Sequence, residues 1–167
     1  ILAVAGGEPL LLIGPPGTVK SRLIRAFCEL IGLMDESDSN NRDYFEYLLT
    51  PFTEPGELFG YYDISKATKG TLERMDKGMI QHARVVYLDE VFNGSSAILN
   101  SILAFMNERI FHDRGERKPV ALQCLFAATN RIPETPVLSA FFDRFLLRCK
   151  VENVRAMTEA AREYGVY

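Results

Sequence analysis

The sequence predicts an α/β domain in which helices cover both faces of a five-stranded parallel sheet. Short apolar runs that end at turn or polar residues alternate with segments whose apolar residues recur every three or four positions. The first pattern is typical of buried strands and the second of helices with one buried face. Strands that alternate with helices favour a parallel sheet, because each strand must return to the same edge. The chain shows no internal repeat.

Five apolar runs are predicted to be strands: Leu10–Ile13, Phe45–Leu49, Val85–Leu88, Leu122–Ala128 and Phe145–Val151. The helical pattern marks Lys20–Ile31, Ala97–Met106 and Asn153–Tyr164. A short helix is predicted to be capped by Thr53, with Pro55 in its first turn, and to run to Gly60. The polar run 35–43 is predicted to be an exposed loop.

Two polar stretches interrupt this alternation. Residues 61–78 are mixed in charge and contain Gly70 and Gly78, which predicts an insertion with turns or a small hairpin. A second hairpin is expected where Ile110 and Phe111 lead into a polar turn over 112–118 and the chain returns from Val120 onward.

Composition limits the class of protein. A chain of 167 residues with 47% apolar residues can bury a core without disulfide or metal support. The net charge of −3 and the isoelectric point near 5.5 disfavour a domain that depends on the DNA backbone. No run of 18 apolar residues is present, so we expect no membrane-spanning helix.

The cysteines, Cys28, Cys124 and Cys149, are widely spaced and include no CxxC pair. With only His82 and His112 beside them, a Cys/His zinc site is not expected, and neither histidine is assigned a role. Cys28 and Cys124 lie on apolar faces and are predicted to be inert core thiols. These features favour a reduced, cytoplasmic protein. The start shows no signal peptide and lies within an apolar segment, as expected of a piece cut from a longer chain.

The clearest motif is Gly14-Pro15-Pro16-Gly17-Thr18-Val19-Lys20-Ser21, which follows a predicted strand and opens a helix. In such a loop, backbone N–H groups and the positive end of the helix dipole bind phosphate. Lys20 would contact the β- and γ-phosphates, and the Ser21 hydroxyl would ligate Mg²⁺. The alternative is an accidental Gly/Pro turn before a helix.

Val19 departs from the usual motif, which has glycine at this position. If the loop needs a left-handed backbone there, a β-branched residue costs about 1–2 kcal/mol.

A second motif is Asp89-Glu90, directly after the apolar run that begins at Val85. Both acids would lie at the carboxyl edge of the sheet, beside the loop that contains Lys20. There Asp89 would hold Mg²⁺ through its water shell, and Glu90 would orient and deprotonate an attacking water. Taken alone, such a pair is more often the start of a solvated loop.

The segments GPPGTVKS, VVYLDEV, FAATN and FFDRF together resemble the ATPase core of the AAA+ superfamily, in particular its MoxR type. The resemblance runs from Leu10 to about Val151 and implies a three-layer α/β/α P-loop NTPase with two small hairpin insertions. Members often carry a small residue other than glycine at the position of Val19. Residues 1–151 would form the core and 152–167 the start of a helical lid, whose remainder, with its sensor-2 arginine and part of the adenine pocket, would lie outside this chain.

The resemblance also assigns roles to two further residues. Asn130 resembles the sensor-1 residue, between the γ-phosphate and the attacking water; the alternative is an asparagine that starts a turn. Arg144 resembles an arginine finger that reaches a neighbouring subunit, and the alternative is a surface arginine paired with Asp143 or with Glu134. Arg109 and Arg148 are weaker candidates for the same subunit edge.

The two insertions resemble the paired hairpins of the helix-2-insert/pre-sensor-1 hairpin clade, which face the pore of a ring. Arg114, Arg117 and Lys118 make the second hairpin basic, yet a protein substrate is favoured over nucleic acid. The resemblance therefore implies a hexameric ATPase ring, with ATP and Mg²⁺ as cofactors, that remodels or matures protein partners, some with a von Willebrand factor A domain. Two alternatives stay open: a binding module with weak hydrolysis because of Val19, and a DNA-translocating motor.

Overall fold

The structure is a computed structural model and describes residues 2–34, 43–68, 70–132 and 135–152. The polar run over 35–42, the predicted helix Asn153–Tyr164 and the proposed start of the lid from residue 153 onward lie outside these residues. Of the helices in the described part of the chain, none has the length and apolar character needed to cross a membrane.

A five-stranded parallel sheet forms the centre of the domain, with its strands side by side in the order Tyr44–Leu48, Val85–Asp89, Cys124–Thr129, Leu10–Ile13 and Leu147–Lys150. All five predicted strands are confirmed, with ends that differ from the expected ones by up to two residues. Because every strand runs in the same direction, their carboxyl ends meet at one edge of the sheet. The strands are β1 (Leu10–Ile13), β2 (Tyr44–Leu48), β3 (Val85–Asp89), β6 (Cys124–Thr129) and β7 (Leu147–Lys150).

Helices cover both faces of the sheet, which gives the expected three layers. One face packs on α1 (Leu2–Gly6) and α2 (Lys20–Leu30), and the other on α3 (Pro55–Phe59), α5 (Ser96–Glu108) and α6 (Pro136–Phe142). Single turns of 3₁₀ helix lie at Ile80–His82 and Val91–Asn93. The sequence did not predict α1 or α6, since five and seven residues show too little periodicity.

Alternate residues of each central strand enter separate apolar clusters on the two faces, as the pleat requires. In β3, Val86 and Leu88 face α5, whereas Val85 and Tyr87 face α2. The thiols of Cys28 and Cys124 belong to the α2 side, where burial raises the pKa of each to about 11. Their prediction as core thiols is confirmed.

The cap of α3 differs from the prediction. Glu54, not Thr53, is the N-cap residue, and its backbone N–H donates to Glu57 Oε1 at 2.8 Å in a capping box. Thr53 is buried one residue earlier, where its hydroxyl accepts the Thr50 N–H at 2.9 Å. Pro55 occupies the first turn as expected. Both residues can accept a backbone hydrogen bond, so the sequence alone did not separate them.

The second insertion is the expected hairpin, but its turn is much shorter. Strands β4 (Ile110–Asp113) and β5 (Glu116–Pro119) are antiparallel and are joined by Arg114 and Gly115 alone. The predicted polar turn over 112–118 and the return from Val120 are therefore wrong. Both turn residues have positive φ, 51° and 83°, as a two-residue hairpin turn requires.

The first insertion combines one helical turn, α4 (Ile64–Ala67), with an antiparallel bridge between Tyr62 and Arg74. Two backbone hydrogen bonds flank the bridge, from Asp63 N–H to Glu73 O and from Met75 N–H to Tyr61 O, both 2.8 Å. The first insertion is therefore closed at its base by one antiparallel bridge, as in a very small hairpin.

A buried carboxylate joins the two insertions. Asp113 of β4 is 4% exposed and accepts from the Tyr62 hydroxyl at 3.0 Å, from Arg74 Nη2 at 3.2 Å and from Lys118 Nζ at 2.9 Å. Arg74 also donates to Gly60 O at 2.6 Å and stacks on the Tyr62 ring. The bond from Lys118 is the largest of the effects that lower the pKa of Asp113.

Candidate functional site

The phosphate-loop motif follows the carboxyl end of β1 and opens α2, as predicted, and β1 is paired on both sides in the sheet. Its first residue, Gly14, is packed so closely that a Cβ atom there would lie 2.1 Å from the carbonyl oxygen of Val151. Gly14 N–H donates to Thr129 O at 3.1 Å, and Val151 N–H donates to Ile13 O at 2.7 Å. The start of the loop is therefore fixed to both neighbouring strands, β6 and β7.

Val19 adopts the left-handed backbone that the motif reserves for glycine, with φ 62° and ψ 20°. The position therefore does need a left-handed backbone, and the side chain is 56% exposed. Val19 is also the N-cap residue of α2, which receives no side-chain cap from the described residues. The first N–H groups of α2 thus remain available to an anion.

Lys20 is 7% exposed and folds back over the loop. Its Nζ donates to Gly14 O at 2.7 Å, to Pro15 O at 3.1 Å and to Asn130 Oδ1 at 3.0 Å. The Thr18 hydroxyl closes the other side of the loop by donating to Pro15 O at 2.8 Å. The ammonium group is positioned among oxygen atoms that a phosphate could replace.

Asp89 and Glu90 lie where the sequence predicted, at the end of β3 on the carboxyl edge. The two carboxylates point to different partners. Asp89 Oδ1 accepts the Glu90 N–H at 3.0 Å, whereas Glu90 Oε1 accepts from Asn130 Nδ2. Glu90 has a left-handed backbone with φ 50° and ψ 46°. Strained backbone of this kind is concentrated at functional sites.

Asn130 bridges the two charged residues, since its Oδ1 contacts Lys20 and its Nδ2 contacts Glu90. It follows β6, the strand between β1 and β3, which explains how one side chain reaches both neighbours. Burial raises the pKa of Glu90, and the charge of Asp89 raises it further, while Lys20 and Arg131 oppose the shift.

Arg131 and Tyr87 also lie at this site, and the sequence analysis missed both. Arg131 is exposed and lines the same cleft as Glu90 and Asn130. Its position directly after Asn130 was a signal that could have identified it. Tyr87 is fully buried two residues before Asp89, and burial, followed by the Asp89 charge, raises its pKa. A tyrosine in an otherwise aliphatic strand was the available signal.

The site offers oxygen ligands suited to Mg²⁺. Ser21 supplies a hydroxyl in the first turn of α2, and Asp89 supplies a carboxylate at the end of β3. Within the described residues, no group of three or more His, Cys, Asp or Glu side chains could hold a metal unaided. Two protein oxygens fit a cation that keeps water and binds phosphate oxygens as well.

Arg144 lies at the opposite edge of the sheet. It precedes β7, whose first residue pairs with Leu10, so the length of β1, about 10 Å, separates it from the phosphate loop. Arg144 is exposed, and no described carboxylate pairs with it. Asp143, its suggested partner, pairs with Arg148 at 3.4 Å instead, and the other, Glu134, lies outside the described residues.

The two weaker arginine candidates are engaged within the domain. Arg109 donates to Gly7 O at 2.6 Å and to Leu122 O at 3.2 Å. Arg148 donates to Phe145 O at 2.9 Å and stacks on the Phe142 ring. Of the three, Arg144 alone presents a side chain without such contacts to the described residues.

Residues 1–161 match the family described as the MoxR domain in the MoxR-vWA-beta-propeller ternary systems. The chain belongs to this MoxR family. Two uncharacterized proteins of Methanocaldococcus jannaschii are each 38% identical over 157 residues, 93% of this chain but 39% and 40% of their own lengths. A structural protein of the Acidianus two-tailed virus is 30% identical over 151 residues, 89% of this chain and 24% of its own. This MoxR domain thus spans about two fifths of the archaeal relatives.

Solved structures share the fold. A predicted ATPase from Cytophaga hutchinsonii superimposes with a TM-score of 0.67 at 20% identity, over 99% of this chain and 48% of that protein. NtrX from Brucella abortus, in complex with ADP, superimposes with a TM-score of 0.62 at 20% identity, over 99% and 39%. The AAA+ fold of this MoxR domain agrees with the resemblance and with the three layers described above.

Proposed function

We propose that this MoxR domain binds ATP with Mg²⁺ and hydrolyses it within an oligomeric ring that remodels or matures protein partners. The observation that carries the proposal is the contact chain from Lys20 through Asn130 to Glu90. These residues follow three neighbouring strands and are 110 and 40 positions apart in sequence. A structural role alone gives no reason to place a lysine, an amide and a carboxylate together there.

The contacts of each residue suggest its proposed role in binding and hydrolysing ATP. The backbone N–H groups from Gly14 to Ser21 and the end of α2 bind phosphates, and Lys20 exchanges its carbonyl partners for phosphate oxygens. Glu90 takes the proton of the attacking water, and Asn130 orients Glu90 towards that water. The raised pKa of Glu90 suits this task, because a more basic carboxylate accepts a proton more readily.

Ser21 and Asp89 are the proposed residues for Mg²⁺, Ser21 directly and Asp89 through water. The cation would neutralise charge on the phosphate oxygens. The two oxygen donors, one in the first turn of α2 and one at the end of β3, support the assignment, and the remaining ligands would come from phosphate and solvent.

Arg144 is proposed to act on the site of a neighbouring subunit. Its place on the edge opposite the phosphate loop, its exposure and its lack of a described ion pair support action in trans. A cation supplied in this way contributes about 10³–10⁵ in rate. This role requires assembly into a ring, for which a hexamer is the form implied by the resemblance.

A mixing experiment in the full-length protein tests the proposal. Lys20→Ala and Arg144→Ala should each lose ATP turnover by about a hundredfold or more. Mixing the two should restore part of it, because an intact Arg144 of one subunit then faces an intact Lys20 of the next. Arg117→Ala, on the exposed hairpin, is the control and should keep wild-type turnover. Turnover that survives either substitution, or a mixture no more active than its components, would refute the corresponding role.

A protein partner is the proposed substrate. The description of the matching family names a von Willebrand factor A component, which supports such a partner for this chain as well. The hairpin charges are largely paired: Arg117 with Glu108 at 3.0 Å, and Lys118 with Asp113 and with Glu116. This pairing disfavours the DNA-translocating alternative, which predicts binding to DNA with a steep salt dependence.

A second candidate function is a nucleotide-dependent binding module with weak hydrolysis. The left-handed backbone of Val19 favours it, since a β-branched residue constrains the loop that must fit around phosphate. In that case Val19→Gly should raise turnover sharply without a large change in ATP affinity. Equal turnover in the variant and the wild type would count against this candidate.

A further inference from the structure

Tyr87 holds a hydroxyl that the proposed chemistry does not use. The residue lies in the centre of β3 with 0% exposure, and its buried hydroxyl oxygen makes no direct hydrogen bond to the described residues. Buried polar groups without partners cost folding free energy and are uncommon in native proteins. Phenylalanine would fill the same space without that cost, so the hydroxyl calls for an explanation.

The surroundings of Tyr87 contain two carboxylates that could accept its proton. Asp89 follows two residues later on the same face of β3, and Glu46 lies directly opposite Tyr87 on β2. Burial is the first cause of the raised pKa of Tyr87, followed by Asp89, through its charge and the hydrogen-bonding capacity of its carboxylate, and then by the charge of Glu46.

The hydrogen bonds of these carboxylates distinguish them. Glu46 Oε2 accepts from Arg25 Nε at 2.7 Å and from the Tyr44 hydroxyl at 2.9 Å, and its Oε1 accepts from Arg25 Nη2 at 2.9 Å. In Asp89, Oδ1 accepts the Glu90 N–H, and Oδ2 accepts no hydrogen bond from the described residues. Asp89 therefore has an acceptor oxygen that the described residues leave open, and its carboxylate is near enough to act on the Tyr87 hydroxyl as a hydrogen-bond acceptor.

We propose that Tyr87 is a positioning residue whose hydroxyl donates to the Asp89 carboxylate and fixes the orientation in which Asp89 faces Mg²⁺. The inference rests on the proposed function, because it needs Asp89 at the cation. Groups that hydrogen-bond to a metal-binding side chain orient it and commonly alter metal affinity by about 10–100-fold. The unpartnered hydroxyl is then a donor kept for the loaded site.

The test measures how much Mg²⁺ improves the binding of a fluorescent ATP analogue, by titrating the full-length protein with Mg²⁺ and repeating the measurement in EDTA. Tyr87→Phe should reduce the gain due to Mg²⁺ by about tenfold and leave binding in EDTA unchanged. It should also raise the melting temperature of the nucleotide-free protein, because an unpartnered buried hydroxyl is removed. If Tyr87 had a role in packing alone, the substitution would change binding of the ATP analogue equally with Mg²⁺ and in EDTA.

Two further variants complete the design. Tyr44→Phe is the matched control: it removes a hydroxyl from the same face of the next strand, bonded to Glu46, and should keep the wild-type Mg²⁺ response. Asp89→Asn should abolish most of that response, and adding Tyr87→Phe to it should change nothing further, since the two act through one contact.

Three results would overturn the proposed role of Tyr87. A wild-type Mg²⁺ response in Tyr87→Phe, or an equal loss of binding with and without Mg²⁺, overturns the inference while leaving the proposed function in place. Independent, additive losses in the double variant also overturn it. If the wild-type protein gains nothing from Mg²⁺, the proposed metal site fails, and the inference fails with it.

Discussion

Two charged clusters in this domain are built in opposite ways. Around Asp113, one buried carboxylate receives hydrogen bonds from a tyrosine, an arginine and a lysine. The left-handed residues nearby, Arg114 and Gly115, are those that a two-residue turn needs. This cluster satisfies its polar groups and ties two insertions together, which is what a stabilising element requires.

The cluster at the carboxyl edge of the sheet keeps unfavourable features instead. Val19 and Glu90 have left-handed backbones outside any hairpin turn, and the Tyr87 hydroxyl makes no direct hydrogen bond within the described part of the chain. Strained backbone and buried polar groups without partners occur mainly at functional sites, where they are retained for a ligand. The comparison therefore contrasts a cluster whose polar groups are satisfied with the proposed site, whose polar groups are not, and substitutions should affect the two differently.

The largest expected effect is on turnover, from Glu90→Gln. The amide keeps the shape of the side chain but cannot accept the proton of water, so ATP turnover should fall by about 10²–10⁴-fold. ATP binding and the free energy of unfolding should stay near wild type. Glu29→Gln, on the exposed side of α2, is the control. Steady-state turnover and equilibrium ATP binding check the prediction, and turnover within twofold of wild type would exclude Glu90 as the base.

The next effect is on stability, from Asp113→Ala. Removal of the carboxylate leaves Arg74 and Tyr62 without their shared acceptor, which should lower the free energy of unfolding by about 3 kcal/mol. Glu73→Ala breaks an ion pair between exposed side chains in the same insertion and serves as the matched control. Urea unfolding measures both. Similar midpoints for the two variants would show that the Asp113 cluster does not stabilise the fold.

The strands and the site residues were predictable from the sequence because they depend on local patterns. Short apolar runs located all five strands, and Asp89 and Glu90 fell at a strand end where the acidic pair predicted them. The resemblance pointed to Asn130, but its position between Lys20 and Glu90 depends on the order of the strands, which the sequence did not predict.

The hairpin turn and the burial of Asp113 were not predictable, because the sequence near each is compatible with more than one local structure. The turn at Arg114 and Gly115 escaped detection since polar residues continue through both strands of the hairpin. The burial of Asp113 depends on Arg74, 39 positions away, and no periodicity reports such a pairing. The sequence likewise could not show that Glu46 is engaged by Arg25 and Tyr44, which leaves the Tyr87 hydroxyl without a direct hydrogen bond to the described residues.

A smaller effect is expected from Val19→Gly. Glycine relieves the left-handed strain, about 1–2 kcal/mol, but adds freedom to the unfolded chain, about 0.5–1 kcal/mol. The net change should be a stabilisation of about 0.5–1 kcal/mol in urea unfolding. Leu23→Gly, one helical turn later in α2, should instead destabilise by about 1 kcal/mol. Equal destabilisation by both glycines would mean that Val19 is unstrained.

The smallest expected effect is a shift in the pH profile. Burial and the charge of Asp89 raise the pKa of Glu90, so its carboxylate becomes protonated at a pH above the usual range of glutamate. Since the proposed base must be deprotonated, kcat should fall as the pH decreases through this raised pKa. Arg131→Ala removes a positive charge that opposes the shift, and should therefore move the acid limb to higher pH.

Arg84→Ala is the control for that profile. It removes an equal charge just before the amino end of β3, about 20 Å from Glu90 along the chain, and should leave the acid limb of the profile in place. The measurement is kcat at saturating ATP between pH 5 and 8. If the acid limb of the kcat profile moved to lower pH in Arg131→Ala, the predicted direction of the effect of Arg131 on the pKa of Glu90 would be wrong. A shift of equal size in both variants would mean that Glu90 responds to the net charge of the domain, and not to the arginine that shares its cleft.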